Sequence, residues 1–62
     1  MFDCIDYYIT KNSKNLVTLN YSNGEYYCMY DGHRVFSMDS RDGNKERAIK
    51  WFRHFYAKHE YD

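Results

Sequence analysis

Apolar and polar residues alternate along the first two-thirds of the chain with the period of two that marks β-strands. From Asp3 to Thr10, Ile5, Tyr7 and Ile9 fall on one side and Cys4, Asp6, Tyr8 and Thr10 on the other. This predicts a strand over about 4–10 with its odd side inward. A second alternation, over 16–22, sets Val17, Leu19 and Tyr21 against Thr18, Asn20 and Ser22. The polar run Lys11-Asn12-Ser13-Lys14-Asn15 between the two is short enough to join antiparallel neighbours.

Asn23-Gly24 follows, and this dipeptide between alternating segments predicts a type I′ hairpin turn, because both central positions need φ > 0. The turn fixes a register in which Ser22 faces Glu25, Tyr21 faces Tyr26, Leu19 faces Cys28 and Val17 faces Tyr30. One apolar face is thereby gathered from two independently patterned strands, 16–22 and 25–30. Asp31-Gly32 repeats the signal and predicts a fourth strand over 33–38. A regular two-residue turn there pairs Tyr30 with His33, Cys28 with Val35 and Tyr26 with Ser37. Phe36 and Met38 then join Tyr27 and Met29 on the face away from the core. A bulge or a longer turn instead shifts the strand by one residue and brings Phe36 inside. The pattern leaves both registers open.

From Asn44 to Glu60 the period changes to that of a helix. At about 100° per residue, Ala48, Phe52, Phe55 and His59 lie on one line with Ile49, Trp51 and Tyr56 flanking it. Glu46, Arg47, Lys50, Arg53, His54 and Lys58 take the other side. Asp42 and Asn44 are the N-cap candidates. Such a helix is not stable alone and requires a sheet on which Trp51, Phe52 and Phe55 can be buried. The expected architecture is therefore α+β: an antiparallel meander of three or four strands with one C-terminal helix packed across one face, in a single domain over 1–62. Its core should contain Ile5, Ile9, Val17, Leu19, Cys28, Val35, Ala48, Phe52 and Phe55.

Size changes the picture. A 62-residue chain buries only about 60% of its unfolded surface, so it is marginal without a disulfide, a metal or a second subunit. Cys4 and Cys28 have neither the number nor the spacing of a disulfide framework, and Met1-Phe2-Asp3-Cys4 is not the pattern of a signal peptide, so no leader is expected. A reduced, cytoplasmic protein is expected. No apolar run approaches the roughly 18 residues of a membrane span, and the mean hydropathy is −0.94, so no membrane association is expected.

Nine basic residues balance nine acidic ones, which removes the general attraction to phosphate unless the charges are sorted onto separate faces. From Arg41 onward there is a mild basic bias. Eight tyrosines are the more unusual feature, since Tyr serves either as a filler for a small core or as a ring with a wet end at an interface. His54 and His59 are five residues apart and do not share a helix face as an i,i+4 ligand pair would, and Cys28 belongs to the core, so no metal and no cofactor are expected. His33 near Asp31, with Asp39 and Arg41 downstream, could serve general acid–base cleavage of RNA. A single-helix sheet of this size has little room for a concave pocket, so no catalytic residues are expected and a small ribonuclease is the remote alternative.

Two resemblances bear on function. The order of elements, with Lys45-Glu46-Arg47-Ala48-Ile49-Lys50-Trp51-Phe52 opening the helix, resembles the arm-binding domains of tyrosine recombinases, which implies a sheet lying in the major groove of DNA. The chain departs from them on its outward face, where Thr18, Asn20, Glu25, Tyr27 and Met29 leave only Arg34 basic. The composition, free of proline and rich in Tyr, Asn, Asp and Lys, is similar to that of small bacteriophage accessory proteins, among them inhibitors of host enzymes and anti-CRISPR proteins. That likeness implies a binding protein acting in the host cytoplasm. The expected function is a non-enzymatic inhibitor or adaptor that binds a protein target through Tyr27, Met29, Arg34, Phe36 and Met38. The alternative is a sheet-based nucleic-acid binder using Arg34, Arg41 and Lys45. A homodimer is also expected, because it would cover Tyr27, Met29, Phe36 and Met38 and add stability to a short chain.

Overall fold

Two tight turns organise the sheet. In the computed structural model, which describes residues 3–62, Asn23 and Gly24 adopt φ of 52° and 73°, and Asp31 and Gly32 adopt 49° and 81°. Both are the paired left-handed conformations of type I′ hairpins. They connect β2 (Leu16–Ser22), β3 (Glu25–Tyr30) and β4 (His33–Asp39), and β1 (Asp3–Ile9) completes a four-stranded antiparallel sheet in the order β1-β2-β3-β4. The strand ends and α1 (Asn44–Lys58) lie within two residues of the bounds expected from the pattern. The α+β meander with one helix on one face is the architecture of this chain. Met1 and Phe2, on which the reading of a leaderless start falls, lie outside the described residues.

β2 and β3 pair in the register that the Asn23-Gly24 turn dictates, Ser22 with Glu25 through Val17 with Tyr30. The outer strands each carry a bulge. In β1, Cys4 faces Asn20 but Asp6 faces Leu19, so Ile5 is the extra residue and every later side chain changes face. Tyr8 is then opposite Val17 and packs on the core, whereas Ile9 is opposite Leu16 and exposed, contrary to the expectation that Ile9 lies inside. In β4, Tyr30 pairs with His33 and Met29 with Arg34, but Cys28 pairs with Phe36. Val35 is the extra residue. Of the two open registers the bulged one is therefore adopted, with Phe36 and Met38 turned toward the helix and packed against the core.

That core is Val17, Leu19, Cys28, Ala48 and Phe52, all fully buried, with Ile5, Phe36, Met38, Ile49, Phe55 and several tyrosines around it. Burial pushes the Cys28 thiol up to about 11, so it stays a neutral, inert apolar side chain. Val35, expected in the core, is more than one-third exposed because it is the extra residue of the bulge, and Phe36 and Met38 take the inward positions of β4 instead. Trp51 is likewise not buried but 55% exposed, its ring edge-on to Phe36 at 6.0 Å between centroids.

Neither expected cap closes the helix start. Gly43 is the N-cap in a left-handed conformation with no side-chain hydrogen bond, while the Asn44 amide donates backward to the Asp39 carbonyl and carboxylate at 2.8 and 2.9 Å. The helix ends at Lys58, short of the expected residue 60, and His59–Asp62 form a turn.

That terminal turn is latched to the β1–β2 loop. The Lys11 amide donates to the Glu60 carbonyl, and the Asn12 and Ser13 amides donate to the Asp62 carbonyl, at 2.7–2.9 Å. The Tyr30 hydroxyl donates to Asp62 Oδ2 at 2.6 Å and accepts from the Asn15 amide at 3.3 Å, and His59 Nδ1 lies 2.8 Å from the same Asp62 oxygen. The hydrogen bond from Tyr30, then that from His59, holds the Asp62 carboxyl below its ordinary 3.8. The same bond raises Tyr30 above 10.0, against a smaller opposing effect of Asn15. A depressed carboxyl stabilises the fold above 3.8 and loses that contribution as the pH falls through its folded value; a raised phenol does so below 10.0 and loses it as the pH rises. The latch should hold between these limits and loosen beyond either. Amide exchange at Asn12 and Ser13 is expected to lose protection below pH 3.8, and in Tyr30→Phe to be weakly protected already at neutral pH. Unchanged protection of both amides in Tyr30→Phe would show that the side-chain network does not hold the latch.

Candidate functional site

The helix covers one face of the sheet, and among the described residues nothing covers the other. The bulge at Ile5 brings Tyr7 and Ile9 to that open face, where Tyr7 stands opposite Thr18 and Ile9 opposite Leu16, with Met29 next in the Tyr7 row. Tyr7, Ile9 and Leu16 are 64%, 50% and 51% exposed. The apolar surface lies at the end of the sheet bearing the Asp31-Gly32 turn, and the opposite end is polar, with Ser22, Glu25 and Asp39.

The expected protein interface of Tyr27, Met29, Arg34, Phe36 and Met38 is thus divided. Tyr27, Met29 and Arg34 lie on the open face; Phe36 and Met38 do not, because the extra Val35 turns them to the helix side. A dimer closed through Tyr27, Met29, Phe36 and Met38 requires all four on one face, and the bulge removes two of them. Tyr7, Ile9 and Leu16 take their place. The alternation of β1 predicts Tyr7 and Ile9 on the core side, and the extra residue at Ile5 reverses that parity without changing the composition of the strand.

The basic residues of the nucleic-acid alternative are not gathered on the sheet. Arg34 bonds Glu25 at 2.9 Å and lies over the Tyr27 ring, its guanidinium carbon 4.5 Å from the centroid. Arg41 pairs with Asp39 at 2.8 Å, and Lys45 is on the helix. The set of His33, Asp39 and Arg41 weighed for acid–base chemistry is also dispersed, since His33 opens β4 and Asp39 closes it. His33 instead borders a shallow concavity with Tyr30, His59 and Asp62, whose polar groups are engaged in the latch. No group of three or more His, Cys, Asp or Glu able to hold a metal occurs among the described residues.

A second concavity, of about 510 Å³, runs between α1 and the margin of β4. It is lined by the apolar Val35, Phe36, Trp51 and Phe55 and by Lys50, His54 and Lys58. The ion pairs of the described residues engage Lys11, Arg34, Arg41 and His59, and none engages the helix cations Lys45, Arg47, Lys50, Arg53 and Lys58. With Glu46 as its one acidic residue, the helix 44–58 carries five cations against one anion, a formal +4 in a chain of net charge zero. The charges are sorted.

The fold defines a two-layer α+β domain with one naked sheet face and one basic helix. Neither models of known protein families, nor curated protein sequences, nor solved structures match this chain. No helix among the described residues is long and apolar enough to cross a membrane.

Proposed function

We propose that this chain is a non-enzymatic protein-binding module, an inhibitor or adaptor, that docks a protein target through the open face of its sheet. One observation carries this reading: Tyr7, Ile9 and Leu16 are half exposed or more on a face that no other part of the described chain covers, beside Tyr27 and Met29. Large rings and flexible aliphatics flanked by polar residues are the composition of interface centres, where a few buried anchors supply most of the affinity. Arg34 is stacked on Tyr27 and bonded to Glu25, so this margin is ordered before a partner arrives. The compositional likeness to phage inhibitors supports a target among host or defence proteins.

Leu16→Lys and Tyr7→Ala test the reading. Both residues are exposed, so each variant should keep the parent's melting temperature within a few degrees. Capture of the same protein from host lysate should weaken by about 30-fold or more, the scale of an interface anchor. Undiminished capture by both variants would move the target off the sheet. Sedimentation at micromolar concentration separates the remaining case. A species of twice 7.7 kDa that Leu16→Lys returns to 7.7 kDa assigns the face to a second copy of the chain.

A further inference from the structure

The sheet face does not use the helix cations or Trp51, and these lie together on the opposite side of the molecule. We propose that the groove between α1 and β4 binds a single-stranded nucleic acid, with a base stacked on Trp51 and phosphates held by Lys50, Lys58 and Arg47.

Three observations point the same way. The first is charge complementarity: each of these cations lacks an ion pair among the described residues, whereas of the four cations outside the helix Lys11, Arg34 and Arg41 are each paired with a carboxylate and Lys14 alone is not. A neutral chain that pairs most of its other cations and leaves its helix cations bare concentrates its positive potential along the helix. The second is spacing. Lys50, His54 and Lys58 follow one another at i,i+4, a step of about 6 Å along the axis, comparable to the separation of successive phosphates in an extended strand. Arg47 continues the row one turn toward the helix start. The third is the exposed aromatic ring. Trp51 is held by Phe36 but 55% exposed beside the apolar Val35, Phe36 and Phe55, which offers a flat ring and an apolar slot to a base.

An acidic peptide would meet the same cations, and the free edge of β4 could in principle pair with it as an added strand. The bulge argues against that occupant. Val35 interrupts the ladder at the groove itself, so the outward donors and acceptors of β4 do not form a regular row there.

Trp51 is the only tryptophan, so its fluorescence reports the site directly. Oligo-thymidine and oligo-uridine probes of about a dozen nucleotides should quench it and gain anisotropy at low salt, with a slope of log affinity against log salt of about −2 for three phosphate contacts. Trp51→Ala should weaken binding about tenfold and leave the slope nearly unchanged, while Lys50→Glu with Lys58→Glu should weaken it further and flatten the slope by about 1.4. Far-ultraviolet dichroism checks that each variant is folded. Absence of quenching and anisotropy change at low salt would overturn the proposal, as would binding indifferent to both helix variants. A poly-glutamate peptide of equal charge that quenches Trp51 as strongly would also overturn it and assign the groove to acidic protein segments.

Discussion

Phe52→Ala is expected to unfold the domain. Phe52 is the largest fully buried side chain, at the middle of α1, with its ring edge-on to Tyr56 at 5.1 Å and among Val17, Leu19, Cys28 and Ala48. Truncating a buried Phe removes its transfer free energy and leaves a cavity, together about 3–5 kcal/mol. At about 0.05–0.15 kcal/mol per residue, a chain of this length holds only roughly 3–9 kcal/mol in all. The core is one layer deep, and the described cysteines are both free, so no cross-link opposes the loss. Thermal unfolding followed by circular dichroism should show either no transition at 25 °C or a midpoint lowered by more than about 12 °C. Trp51→Ala, one position away on the exposed flank, should cost far less. A parent-like midpoint for Phe52→Ala would mean that the helix does not pack on the sheet by this face.

How much of this was legible in the residues depends on which feature is asked for. Both hairpins were, because Asn23-Gly24 and Asp31-Gly32 declare φ > 0 at both turn positions, and the β2–β3 register follows from the turn alone. The helix phase was legible too: Ala48 and Phe52 are buried and Lys50, Arg53 and His54 are not. The bulges were not fixed by the pattern, since an extra residue changes parity without changing composition. Apolar doublets such as Tyr7-Tyr8 and Val35-Phe36 do not mark them, because Leu16-Val17 and Tyr26-Tyr27 occur in strands that pair regularly with each other. Parity then decided the site. Two bulges exchange Phe36 and Met38 for Tyr7 and Ile9 on the open face; the pattern tied an apolar patch to the regular register of β4, which is not the one adopted, and of that patch only Tyr27 and Met29 stay on the open face. The helix groove was hidden for another reason. Its cations are visible in the sequence, but that they are unpaired while most of the other cations are paired is a property of the tertiary arrangement.

The bulge at Val35 makes a pair of single-residue deletions give opposite results. With Tyr30–His33 and Met29–Arg34 set by the turn, removing Val35 lets Phe36 follow Arg34 directly and still face Cys28, with Ser37 facing Tyr27 and Met38 facing Tyr26 as before. The strand becomes regular, and no side chain changes face. Removing Ser37 allows no such outcome. If the bulge is kept, Met38 moves opposite Tyr27 onto the open face and Asp39 is carried to the helix side opposite Tyr26. If the bulge is absorbed, Met38 stays inside but Phe36 is expelled and its contact with Trp51 is lost. Either route exposes a large, half-buried apolar side chain, at about 2 kcal/mol or more, and the first also desolvates a carboxylate. Deletion of Ser37 should therefore lower the melting midpoint by about 8–16 °C, whereas deletion of Val35 should leave it within a few degrees of the parent. In an unbulged strand the outcome would differ, because Val35 would face Cys28 and its loss would draw Phe36 and Met38 inward together and turn Ser37 outward. Equal damage from the two deletions would show that β4 pairs without its bulge, and would return Phe36 and Met38 to the open face.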